Sequence, residues 1–61
     1  SRGQLRVAAA YLLREKIDLD HEPPVGWDRP TWQHMLNKPL NERCVIAGAL
    51  IAAEVDRLQF A

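Results

Sequence analysis

The chain has 61 residues, eight basic and eight acidic, for a formal net charge of zero, and a single cysteine. That length makes one domain at most, residues 1–61, which buries only about 60% of its unfolded surface and is marginal without a disulfide, a metal or self-association. Zero net charge argues against general nucleic-acid binding, and one cysteine excludes an intrachain disulfide.

Residues 2–16 read as the first helix. Leu5, Ala8, Ala9, Leu12 and Leu13 recur at helical spacing on one side, and Ser1 or Gly3 could cap the start. Val7 and Tyr11 lie on the opposite side. Ile17 to Pro30 is an acidic connector in which Pro23-Pro24 stops any helix and Gly26 permits an unusual turn. Val25 and Trp27 are expected to fold back onto the helices. Asp28 is the N-cap candidate for a short helix through about Asn37, with Pro30 in its first turn and Trp32, Met35 and Leu36 as its apolar residues. Asn37-Lys38-Pro39 ends it.

The last element, Asn41 to Ala61, is a long helix with Asn41 as cap and Glu42 at its positive end. Two apolar stripes run along it. Cys44, Ala47, Gly48, Ile51, Val55 and Leu58 form one; Ile46, Ala49, Leu50, Ala53 and Phe60 form the other. A helix with two apolar sides needs two partners, and a short chain can supply about one. Ile46, Gly48, Ala49, Leu50 and Ala53 are therefore the expected oligomer interface, where small residues four apart let another helix approach closely. The predicted fold class is all-α: helix, Pro-rich loop, short helix and long C-terminal helix, in a helical-bundle homo-oligomer such as a homodimer. Cys44 is expected to be a buried, inert thiol.

One reduced cysteine and no signal peptide point to a cytoplasmic protein. The longest apolar run, Val45 to Ala53, falls short of the roughly 20 residues that span a bilayer. The charges are segregated: residues 1–16 carry Arg2, Arg6, Arg14 and Lys16, while residues 17–28 carry Asp18, Asp20, Glu22 and Asp28 without Lys or Arg.

No catalytic constellation is complete. Asp18, Asp20, His21 and Glu22, with His34, are the densest set of metal-ligand types, but their spacing matches neither a calcium loop nor a zinc pattern, so no metal is expected. Carboxylates that clamp magnesium come in pairs on one helix face. Glu15 and Asp18 could form half of such a set, and Glu54 and Asp56 point to different sides. There is no Gly-rich phosphate loop. Trp27 and Trp32 beside a Pro/Gly turn are either core plugs or a stacking surface, and Lys38 and Arg43 flank them. Trp27, Trp32, Lys38 and Arg43 are thus the candidate binding residues.

Three segments occur in a familiar order: Gly3-Gln4-Leu5 with Ala8-Ala9-Ala10-Tyr11; Trp27-Asp28, Trp32 and Lys38-Pro39; and Arg43 with Val45-Ile46-Ala47-Gly48-Ala49-Leu50-Ile51, Ala53-Glu54-Val55 and Arg57-Leu58. In this the chain resembles small phage and prophage proteins described as MazG-like, or dATP/dGTP diphosphohydrolase-like. The resemblance implies a phage or prophage origin and an all-α architecture. It covers most of the chain but lacks that group's acidic and histidine-rich upstream segment, and Gln4 stands where the group has Glu.

The expected function is that of a non-enzymatic phage-type accessory protein acting by protein binding, as an inhibitor of a host defence or regulatory factor. The alternative is a MazG-like nucleotide-binding or pyrophosphohydrolase-related protein with an incomplete metal site, for which Mg²⁺ would be the only cofactor. A structural fragment of a longer chain is a third reading.

Overall fold

A computed structural model describes residues 3–60. They form three helices, α1 (Gln4–Leu12), α2 (Arg29–Leu36) and α3 (Leu40–Phe60), with no strand among the described residues. α3 lies mainly along α1. The core joins Ala8, Ala9, Tyr11 and Leu12 of α1, Trp32 and Leu36 of α2, and Ala47 of α3. Small residues on both sides of the α1–α3 contact allow the backbones to approach closely. Among the described residues, no helix is long and apolar enough to cross a membrane.

α1 is shorter than the expected 2–16 helix, of which residues 1 and 2, including the cap candidate Ser1, lie outside the described residues. Gly3 occupies the N-cap with φ 91° and offers no side-chain cap. A Cβ there would be strained and would meet Arg6 Nη2 at 3.1 Å. The helix ends at Leu12 because its terminal carbonyls find another partner. The Arg43 guanidinium, only 5% exposed, donates to Leu12 O at 2.8 Å and to Arg14 O. Its Nε donates to Lys38 O at 3.0 Å. One planar fork from α3 thus satisfies acceptors that a helix end leaves unpaired.

Tyr11, expected on the outer side of α1, is buried instead. Its ring stacks on His21 at 3.7 Å and tilts against Trp32 at 6.2 Å, while its hydroxyl accepts from Asp18 N–H at 2.9 Å. The acidic connector is therefore pinned to α1. Asp18 shapes it further: its side chain accepts from Asp20 N–H and its carbonyl from His21 N–H. Trp32 Nε1 donates to the His21 carbonyl at 3.0 Å, and Trp27 meets the Trp32 ring edge-on at 5.9 Å.

The connector closes through a turn in which Pro24 O accepts from Trp27 N–H. Gly26, at the third position with φ 85°, takes the backbone state that a type II turn reserves for glycine. Asp28 then caps α2 as the sequence predicts. Its carboxylate accepts from Thr31 N–H at 2.9 Å and from the Thr31 hydroxyl at 2.7 Å, with Pro30 in the first turn. α3 starts at Leu40, one residue before the expected cap Asn41, and Pro39 O accepts from Arg43 N–H. Glu42 sits in the first turn, where its charge complements the helix dipole.

Candidate functional site

The surface feature that stands out is the orientation of α3. Its inward side follows Arg43, Ala47, Leu50, Glu54 and Arg57, a spacing of 4, 3, 4, 3. Arg43, Ala47 and Glu54 are buried, and Ile46 and Leu50 pack against the core from its edge. One residue further along, Cys44, Gly48, Ile51, Val55 and Leu58 repeat the same spacing, and all are exposed. Ile51 is 41% exposed, Val55 44% and Leu58 59%. With Leu40 they fall within an arc of about 80° at 100° per residue. The helix therefore buries two charged residues on its inward side and leaves its most apolar stripe outside.

Backbone carbonyls account for Arg43, and ion pairing accounts for Glu54. Glu54 is 2% exposed. Its Oε1 accepts from Arg57 Nε at 2.6 Å, and Arg6 Nε of α1 lies 2.8 Å from Oε2. That second contact lacks hydrogen-bond alignment, so Oε2 is held by charge alone. An uncompensated carboxylate at this depth would be costly, and two arginines offset that cost. The Arg57 hydrogen bond, chiefly, holds the Glu54 carboxyl below its ordinary value of 4.5; burial opposes this, and the Arg57 and Arg6 charges add to it. Asp28 is lowered likewise, first by the Thr31 hydroxyl and then by the Thr31 N–H.

A carboxyl whose folded pKa is depressed contributes stability that is complete above its unfolded value and lost as pH falls through the folded one. The melting temperature is accordingly expected to hold near neutral pH and to fall below about pH 4.5. Glu54→Gln should shallow that fall, as melts at several pH values on both proteins would show. An identical acid limb in the variant would remove Glu54 from the account.

The four candidate binding residues do not share a surface. Trp32 is buried at 1% exposure and Arg43 is engaged with three carbonyls. Trp27 and Lys38 are half-buried, Trp27 against Trp32 and Lys38 supplying a carbonyl to Arg43. The five expected interface residues separate as well: Ile46 and Leu50 turn towards the core, while Gly48, Ala49 and Ala53 are exposed. Cys44 is exposed rather than buried.

Sequence reasoning put the outer residues Cys44, Gly48, Ile51, Val55 and Leu58 in one stripe but included the buried Ala47 and drew most of the expected interface from the other stripe. The signal that separates Ala47 from Cys44 is charge: Arg43, Glu54 and Arg57 lie on the Ala47 side. The acidic connector forms no metal cluster among the described residues. Its Glu22 pairs at the surface with Arg29 at 2.7 Å. Of the surface depressions, one is lined by Leu19, Pro30, Gln33, His34 and Asn37 and another by Gln4, Val7, Pro23, Pro24 and Val25. Neither sets a nucleophile beside a base. Comparisons with protein-family models, with curated proteins and with solved structures found no match.

Proposed function

We propose that this chain acts by binding protein, through the outer face of α3, rather than by catalysis. The observation that supports this is the inverted polarity of that helix. Of ten large hydrophobic side chains exposed among the described residues, four lie in the α3 stripe: Leu40, Ile51, Val55 and Leu58. Scattered apolar residues on a surface need no explanation, but a continuous stripe along one helix marks a contact site. Burying each such side chain contributes about 1.5–3 kcal/mol. The further reading as a phage-type accessory protein that inhibits a host factor rests on the resemblance of the three sequence segments described above.

Cys44 reports on this face directly, because it is the chain's only thiol and lies in the stripe. In an extract of the native source, Cys44 of the folded protein should react with a thiol reagent at least tenfold more slowly than in the dilute purified chain. Equal rates, with the purified chain diluted until it scatters light as a monomer, would rule out an occupied outer face.

A further inference from the structure

We infer that the occupant of the α3 outer face is a second copy of this chain, paired antiparallel about a twofold axis near Gly48 and Ile51. This inference rests on the protein-binding reading and names its partner. From Cys44 onward, beyond Leu40, the stripe is graded in size. Cys44 and Gly48 occupy its N-terminal half, and Ile51, Val55 and Leu58 its C-terminal half. The 4, 3, 4, 3 spacing is that of a helix–helix seam. Close packing sets large side chains against small ones across such a seam. An antiparallel copy does this through the middle of the seam, with Gly48 receiving the partner copy's Ile51 and Cys44 facing its Val55. A parallel copy would set Gly48 against its own equivalent and leave a void.

Space and charge agree with that arrangement. Nothing lies within 4 Å of a Cβ built at Gly48, so a glycine there answers no need of the isolated fold, where it weakens the helix by about 1 kcal/mol relative to alanine. Glu42, Arg43, Glu54, Asp56 and Arg57 all lie outside the arc of about 140° that runs from Leu58 round to Val45 at 100° per residue. A neutral seam meets another neutral seam without repulsion. The stripe lies about a quarter turn from the side packed on α1, so a second copy sits beside α1 and displaces nothing. A stable interface takes about 800 Å² from each partner, roughly a fifth of this chain's 4325 Å², and α3 runs along nearly all of the molecule's 33 Å length.

The test combines light scattering with disulfide mapping of the wild type and Val55→Cys under mild oxidation. Residues 44 and 55 of one helix are about 16 Å apart along the axis, too far to bridge within a chain. The inference expects a dimer, a 44–55 disulfide between chains in Val55→Cys, and no 44–44 disulfide in the wild type. A wild-type dimer that forms the 44–44 bond overturns the antiparallel arrangement and leaves the protein-binding reading standing. A monomer whose Cys44 is still protected in native extract overturns the second copy in favour of a different partner. A monomer with Cys44 unprotected overturns both.

Gly48→Leu gives an independent check. It should weaken dimerisation at least tenfold with helicity by circular dichroism unchanged or raised. A dimer as tight as wild type, or tighter, would overturn the placement of Gly48 opposite a large side chain.

Discussion

Trp32→Ala is expected to lower the stability of this fold by about 3–5 kcal/mol, the usual cost of emptying a large core position. Trp32 is the largest fully buried side chain and links α1, the connector and α2. Its ring receives Tyr11 of α1 and Trp27 of the connector, and its Nε1 holds the His21 carbonyl. A domain of this size has about 3–9 kcal/mol of stability in total, so the variant would lose a third of it or more. Trp32→Phe keeps most of the volume but orphans the His21 carbonyl, and should cost about 1–3 kcal/mol. Denaturant titrations followed by helix content would measure both. A loss under about 1 kcal/mol for the alanine variant would mean that Trp32 does not hold α2 to the core.

Arg43→Ala should cost about 3 kcal/mol, through the acceptors it leaves behind rather than through lost charge. The carbonyls of Leu12, Arg14 and Lys38 all turn to one guanidinium, and the end of α1 depends on it. Arg43→Lys should recover only part of the loss, because a single ammonium lacks the planar fork that reaches three carbonyls. Equal unfolding midpoints for Arg43→Lys and the wild type would show that the fork geometry is unimportant. In the alanine variant the Leu12 and Arg14 carbonyls would be freed, and amide exchange near Leu13 and Arg14 would speed up.

These two residues also show where sequence reasoning stops. The three helices, the break at Pro23-Pro24, the Gly26 turn and the Asp28 cap all follow from local chemistry, which a linear reading can use. The end of α1 does not, because a side chain about thirty residues downstream determines it. Leu13 has the helical spacing of a core residue, yet it is 51% exposed, since the helix has already stopped. Tyr11 reads as outward-facing by period alone and is drawn inward by Trp32 and His21, residues of the connector and α2.

The faces of α3 pose a different problem. Two series with identical spacing, one starting at Arg43 and the other at Cys44, compete to face inward, and the more apolar one loses. Arg43 is kept inside by the α1 carbonyls, and Glu54 by Arg6 and Arg57. Ala47 meanwhile lets α3 approach Ala8 and Ala9 closely. Hydrophobic periodicity cannot register any of these contacts, because each partner lies on another element or is polar. The sequence therefore shows that α3 has apolar surface to spare, but not which of its two stripes stays outside.

The central claim is that α3 presents an apolar seam to a protein partner, and that this partner is a second copy. Static light scattering across a dilution series of the wild type and Ile51→Glu tests it most directly. The account predicts about twice the 6.9 kDa chain mass for the wild type, and a single chain mass for Ile51→Glu with its helix content retained. A wild-type mass of one chain at every concentration, or an Ile51→Glu protein that remains a dimer, would contradict it.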